Sequence, residues 1–272
     1  MAGCSKHGTM TEMAIAADGL TKRYGGDVLA VDDLDLAVEQ GEVYGFLGPN
    51  GAGKTTTMRM LTTLTKPTAG TATVAGLSVA DRGALTERIG YLPAEPPVFD
   101  ELTGREYLRY VARLRELDGD DVERRVETYL DRFDLADADR RIDGYSTGMK
   151  KKLGVIGTIL HDPDVLFLDE PTSGLDPRAA RTMRETIAEL ADREMSVFLS
   201  THILPVADEL ADRIGVIHDG RLVAEGTPEA LKARAEADDG DADLETVFLN
   251  VTRREETTQK TDPKTVAGGS HV

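Results

Sequence analysis

The chain has 272 residues, with 49 Asp and Glu against 32 Lys and Arg, a formal net charge of −17 and 40% apolar residues. That length allows one large domain or two small ones, and the apolar fraction supports a sizeable core and excludes global disorder. The acidity argues against nucleic-acid binding, which draws its affinity from Lys and Arg on phosphates, and against direct docking on an anionic lipid surface.

Residues 1–11 have no periodicity and read as a loose tail. They hold the single cysteine, Cys4, which can form neither an internal disulfide nor a zinc cluster. Met13–Ala17 is the longest apolar run near the N-terminus, too short for a secretory signal. From Met13 to Val38, short alternating segments such as Val28–Val31 and Leu34–Val38 predict strands, broken at Gly25-Gly26. Glu42–Leu47 predicts a buried strand ending in a glycine-rich turn, and Thr55–Leu64 a helix stopped by Lys66-Pro67. Thr71–Ala75 and Ile89–Leu92 are further short strand candidates.

After the prolines of 93–97 the pattern changes. Tyr107, Leu108, Val111 and Leu114, then Val122, Val126, Tyr129, Leu130 and Phe133, recur at helical spacing and predict two amphipathic helices joined at Asp118-Gly119-Asp120. Residues 98–161 therefore read as a helical insertion in an otherwise α/β chain. Alternation resumes with strand Val165–Leu168, helix Arg178–Ala191, strand Val197–Ser200, helix Leu204–Ala211 and strand Ile214–His218, an order that implies a parallel sheet covered by helices. Glu236–Glu245 is an acidic segment, followed by a short apolar pattern over Leu244–Val251 that reads as a short helix and a polar tail that reads as disordered. No stretch approaches the ~18 apolar residues of a membrane span, and no internal repeat is present. The chain reads as soluble and intracellular. Its 28 Asp and 21 Glu stand against 10 Lys and 22 Arg. An Asp-rich, Lys-poor surface suits a protein kept soluble in concentrated salt, where repulsion is screened over about 3 Å at 1 M; an ordinary acidic cytosolic protein is the other reading.

The strongest motif is Gly48, Pro49, Asn50, Gly51, Ala52, Gly53, Lys54, Thr55, a full match to G-x-x-x-x-G-K-[ST] with Thr56 following, set between a predicted strand and a predicted helix. The glycines let the backbone curl so that successive N–H groups face a phosphate, and the helix N-terminus adds the positive end of its dipole. Lys54 is expected to reach the β/γ phosphates and the Thr55 hydroxyl to ligate Mg²⁺. A second constellation ends the apolar run Val165–Leu168 in Asp169-Glu170, at the strand edge where open α/β sheets bind ligands. Asp169 is placed to hold Mg²⁺, commonly through water, and Glu170 to polarise an attacking water beside the γ-phosphate.

Further residues narrow the class. Tyr24 lies in Leu-Thr-Lys-Arg-Tyr-Gly; Ser146, in Tyr145-Ser-Thr-Gly-Met-Lys150, lies 23 residues before Asp169; Ser173-Gly-Leu-Asp176 follows Glu170; and Ser200-Thr-His202 closes the next strand. This ordered set resembles the ATP-binding subunit of ABC transporters over about residues 13–250. The Tyr-Ser-x-Gly-Met-Lys wording and Phe99-Asp-Glu-Leu-Thr-Gly-Arg-Glu106 look most like subunits serving ABC-2-type membrane partners, usually exporters. The resemblance implies a P-loop NTPase core with a mostly parallel sheet, an N-terminal antiparallel β subdomain and an inserted helical subdomain, over residues 12–235. It implies that Tyr24 stacks on adenine and that Ser146 and Gly148 meet the γ-phosphate held by a second subunit. It also implies that Asp176 lies at the dimer seam and that His202 contacts the γ-phosphate while holding Glu170 and water. Taken singly, Tyr24 also fits a packing role, Ser146 a helix N-cap, Asp176 an ordinary turn and His202 a structural histidine.

The chain departs from the family at two places. In Tyr91-Leu-Pro-Ala94-Glu95-Pro, Ala94 stands where the family usually has a glutamine that reaches Mg²⁺ and the attacking water, so Glu95 compensates or turnover is slow. The signature has Thr147 and Met149 in place of the commonest Leu-Ser-Gly-Gly-Gln wording but keeps Gly148. The expected function is an ATPase that dimerises, with a second copy or a homologous subunit, around two ATP·Mg²⁺. It powers a separate transmembrane permease, at the cytoplasmic face of the membrane, without binding lipid or nucleic acid itself. The alternatives are a soluble ABC-type ATPase, disfavoured by the single nucleotide domain and lone cysteine, and a non-hydrolysing regulator, disfavoured by Glu170 and His202.

Overall fold

The structure, a computed structural model, describes residues 12–117, 119–191 and 195–239. The tail expected over 1–11, and the short helix and polar tail expected beyond 240, lie outside the described residues. In chain order the first elements are β1 (Met13–Arg23), β2 (Leu29–Glu39), β3 (Val43–Leu47), α1 (Lys54–Leu61), β4 (Ala69–Val74), β5 (Leu77–Ser78), α2 (Arg82–Arg88) and β6 (Ile89–Leu92). Three helices follow, α3 (Gly104–Leu114), α4 (Asp120–Arg132) and α5 (Thr147–Ile159), with a 3₁₀ turn at Ile142–Gly144. The chain continues through β7 (Val165–Asp169), α6 (Pro177–Ala191), β8 (Ser196–Thr201), α7 (Leu204–Leu210), β9 (Arg213–His218), β10 (Arg221–Gly226) and α8 (Pro228–Asp239).

The strands form two sheets. One is antiparallel, in the order β2-β1-β4-β5; the other runs β10-β9-β3-β8-β7-β6, parallel throughout except for its β10 edge. In the second sheet β3, β7 and β8 are buried along their whole length, which is why their sequences are continuous apolar runs instead of alternating ones. The period of two survives in what each side chain meets. Tyr44, Phe46, Phe167 and Phe198 face the antiparallel sheet and Met58, Met60 and Leu61 of α1, whereas Val43, Leu166, Leu168, Val197 and Leu199 face α5 and α6. Phe198 is the hub of the first face, stacked on Tyr44 at 5.5 Å and tilted against Phe46 at 5.2 Å and Phe167 at 5.7 Å.

The helical segment enters between β6 and β7. A capping box starts α3: Thr103 Oγ1 accepts from Glu106 N at 3.2 Å and Glu106 Oε2 accepts from Thr103 N at 2.9 Å. Asp120, Asp121 and Glu123 place three carboxylates in the first turn of α4, where the helix dipole favours them. Although α5 falls inside the expected insertion, it belongs to both lobes. Gly157 lies against Tyr107 of α3, and Gly154 and Gly90 let α5 and β6 approach closely, a Cβ on Gly154 falling 2.7 Å from Leu92 Cδ1.

Several elements differ from the sequence expectation. The two short segments expected over 28–38 are one strand, β2, because Val31, Leu34, Leu36 and Val38 keep burying against β1. No periodic run in the sequence announces β5, α2 or β10. The first is two residues long, α2 buries only Leu85, and β10 has no fully buried residue, so none carries a periodic signal; β10 is held by its ladder with β9.

Candidate active site

The phosphate-loop turn is shaped by two steric requirements. Gly48 follows β3 where a Cβ would sit 2.5 Å from the Ile217 carbonyl oxygen. Gly53 caps α1 at φ 110°, a region L side chains avoid, with the Ala30 carbonyl oxygen 2.5 Å from where a Cβ would be. Since α1 begins at Lys54, the amides of its first turn have no acceptor within the helix. They open onto a cleft of about 180 Å³ lined by Ala30, Pro49, Asn50, Gly51, Gly53, Lys54, Thr55, Thr56 and Glu170. Lys54 is buried; its Nζ donates to the carbonyl oxygens of Gly48 at 2.6 Å and Pro49 at 3.2 Å, and stands 3.4 Å from Glu170 Oε1.

The acid pair ends β7, beside β8 in the parallel sheet. Asp169 is 2% exposed, with both carboxylate oxygens partnered: Thr55 Oγ1 donates to Oδ2 at 2.9 Å and Ser200 Oγ to Oδ1 at 2.5 Å. Glu170 adopts φ 49°, the left-handed region, and its amide donates to Ser200 O at 3.1 Å. Its carboxylate therefore turns out of the sheet edge toward Lys54, and His202 Nδ1 lies 3.0 Å from each of its oxygens. The Thr55 hydroxyl and Asp169 carboxylate are hard oxygen donors that suit Mg²⁺. Among the described residues no group of three or more His, Cys, Asp or Glu could hold a metal unaided. An ion here would thus take few ligands from the chain and complete its shell with phosphate oxygen and water. A cation-lined cradle for an anion, an oxygen pair for a hard cation and a carboxylate beside both suit phosphoryl transfer to water.

The other expected site residues stand apart from this cleft. Gly48 and Ala52 are buried behind the loop. Tyr24 is 40% exposed, with Lys22 Nζ 5.1 Å from its ring centroid. Ser146 caps α5, accepting from Met149 N at 3.2 Å, and remains exposed. Gly148 packs against the start of α6, where a Cβ would be 3.1 Å from Ala179 Cβ. Asp176 Oδ1 accepts from Arg178 N at 2.9 Å and Ala179 N at 3.0 Å, so in this chain it caps α6. Ala94 and Glu95 are exposed and outside the cleft lining.

Three residues that touch this machinery escape the sequence reading of the site. Ala30 lines the cleft from the start of β2, a placement that no local motif announces. Ser200 anchors Asp169 and Glu170; its signal is the first of two hydroxyls, with Thr201, after the apolar run Val197–Leu199. Lys151 Nζ donates to the carbonyl oxygens of Glu170 and Ser173, each at 2.7 Å, and burial pushes its pKa down from the usual lysine value. Its signal is a lysine three residues from Gly148 and Gly154, on the buried face of α5.

A family described as ABC transporter matches residues 31–173. The chain belongs to the ABC transporter family, as an ATP-binding domain. ABC relatives include the daunorubicin resistance ATP-binding protein DrrA3 of Streptomyces coeruleorubidus, 45% identical over 84% of this chain and 73% of that protein. The daunorubicin/doxorubicin resistance ATP-binding protein DrrA of Streptomyces peucetius is 45% identical over 83% of this chain and 68% of its own length. A solved ATP-binding subunit of an ABC transporter superposes with a TM-score of 0.78 at 30% identity, covering 88% of this chain and 99% of that one. The fold is thus the P-loop NTPase fold of ABC ATPases, and the activity of this ABC domain is ATP hydrolysis.

Proposed function

We propose that the chain is the ATPase subunit of an exporter. In this reading it closes with a second copy of itself or a homologous subunit around two ATP, and drives a separate transmembrane permease of the ABC-2 type from the cytoplasmic face of the membrane. The observation that carries the ATPase assignment is the Glu170 carboxylate held between Lys54 and His202 at the mouth of the phosphate-loop cleft. The pairing of two subunits is supported by Ser146, which is exposed at the N-terminus of α5 and lies outside the chain's own cleft, while Gly148 beside it is buried against Ala179. Export is supported by the resistance roles printed in the names of the two Streptomyces relatives. A separate permease is supported by the names of the same two relatives, which describe ATP-binding proteins.

The residues divide the work. Lys54 leaves the Gly48 and Pro49 carbonyls for the β/γ phosphates, while the first-turn amides of α1 cradle the same oxygens. Tyr24 offers a ring face to adenine. Glu170 orients a water in line with the γ-phosphate and accepts its proton, and His202 holds the carboxylate in place. Mg²⁺ at Thr55 and Asp169 would neutralise phosphate charge during transfer. Closure follows because ATP gains contacts from Ser146 and Gly148 only in the closed pair.

Glu170→Gln tests the assignment. The purified variant is expected to bind ATP as the parent does, to hydrolyse it about 100-fold or more slowly, in the range of a lost general base, and to elute as an ATP-dependent dimer. Parental turnover removes Glu170 as the base; a variant that stays monomeric with bound ATP removes the closing pair. Co-purification from solubilised membranes with a permease lacking its own phosphate loop tests the partner.

A further inference from the structure

The three consecutive lysines at the start of α5 have different destinations. Lys150 pairs with Asp100 at 2.6 Å and Lys152 donates to Phe133 O at 2.8 Å, both within the helical lobe. Lys151 turns the other way. It is 3% exposed, and its ammonium bridges the carbonyl oxygens of Glu170 and Ser173, on the segment that follows β7. That segment is already a tight turn, with Ser173 N donating to Glu170 O at 3.2 Å. Glu170 sits there at φ 49°, a conformation that a non-glycine residue keeps only when its surroundings hold it. The Glu170 peptide is fixed from both sides: Ser200 accepts from its amide and Lys151 donates to its carbonyl. Burying a lysine disfavours its charged form, and the two carbonyls with the nearby charges of Glu170 and Asp169 oppose that.

We propose that Lys151 is a positioning residue for hydrolysis: it holds the Glu170 turn against α5 and so aims the Glu170 carboxylate into the phosphate-loop cleft. The proposal rests on the reading of Glu170 as the group that orients the attacking water. Lys151 itself does not touch the substrate; it acts through the backbone of Glu170. The helix it belongs to carries Ser146 and Gly148 at its N-terminus, so the orientation of α5 and that of the Glu170 carboxylate are set together.

Steady-state hydrolysis by Lys151→Met, Lys151→Arg, Glu170→Gln and the Lys151→Met/Glu170→Gln double variant tests this, alongside binding of a fluorescent ATP analogue and thermal unfolding. Lys151→Met is expected to lower kcat by about 10- to 100-fold, the loss that misplacing a reacting group by about 1 Å produces, with KM and analogue affinity unchanged. Lys151→Arg, which keeps N–H donors, recovers part of kcat. In the Glu170→Gln background Lys151→Met costs nothing further, because the group it positions is already gone. Parental kcat in Lys151→Met overturns the proposal. So does a loss that multiplies with that of Glu170→Gln, or one that falls together with analogue affinity and thermal stability in both Lys151 variants. If Glu170→Gln itself turns over at the parental rate, the reading of Glu170 fails; if it is slow while Lys151→Met is not, only the role of Lys151 fails.

Discussion

Lys54 has three oxygen neighbours in a cleft that shields them from water: two carbonyls and the Glu170 carboxylate. Its ammonium is therefore held at the cleft wall, within reach of an incoming phosphate. Replacing it with alanine removes one charge-assisted contact, worth about 1.5–3 kcal/mol. Lys54→Ala is expected to weaken ATP binding by about tenfold or more, measured by titration of a fluorescent analogue; unchanged affinity excludes the lysine from phosphate binding. Gly48–Thr56 and Asp169-Glu170 were legible from sequence because each is one local turn after one apolar strand. Ser200 and Lys151 were not, because their partners lie 31 residues away for the Ser200–Asp169 bond and 19 for the Lys151–Glu170 bond. Asp176 shows the reverse: its place in a motif was legible, but its side chain is engaged as the cap of α6.

At the scale of elements, the contact of α5 with β6 joins the helical segment to the sheet. Gly90 and Gly154 both lie in it. In an ordinary helix interior glycine to alanine is worth about 1 kcal/mol of added stability. At Gly154 the nearest atom to a new Cβ is the flexible end of Leu92, which can move; at Gly90 it is the Thr158 carbonyl oxygen at 2.5 Å, which cannot. Gly90→Ala is accordingly expected to lose about 1–3 kcal/mol through overpacking, read from urea unfolding, and to cost more than Gly154→Ala. His161 seals the same seam just beyond α5, with Nε2 2.9 Å from the Ile89 carbonyl oxygen and a buried Nδ1 that has no partner among the described residues. Burial, with Arg115 and Arg125 nearby, outweighs the Ile89 hydrogen bond and Asp162 and holds its pKa below the usual imidazole value of 6.5. The unfolded chain then binds a proton that the folded one refuses, so stability is retained above pH 6.5 and lost as pH falls through the window below it. Carboxylates such as Glu123, held low by Arg109, act further into acid. Thermal melts across that window are expected to show the slope in the parent and to lose it in His161→Gln.

For the molecule as a whole, a net charge of −17 opposes compaction. The surface pairs that offset it are mostly Arg with Asp or Glu, such as Arg109–Glu123 and Arg181–Glu185, and exposed pairs of this kind contribute about 0–1 kcal/mol each. Raising salt from about 0.1 to 1 M shortens the screening length from ~10 to ~3 Å and weakens the net repulsion more than these short pairs. The melting temperature is therefore expected to rise with salt; a fall would mean that the pairs outweigh the repulsion and would remove the high-salt reading of the composition.

Local order came from the sequence alone: which runs are apolar enough to be strands, where glycines allow a phosphate turn, and which carboxylates end a buried strand. These depend on spacing within a few residues, and a linear chain displays that directly. What joins them is the strand order β10-β9-β3-β8-β7-β6, which places N-terminal β3 between C-terminal strands β9 and β8. That order puts Thr55 against Asp169, Ser200 beside both acids and Lys151 beneath the Glu170 turn. Only the tertiary structure decides it, because neighbours in a parallel sheet are chosen by the burial of whole faces and not by any residue's local sequence.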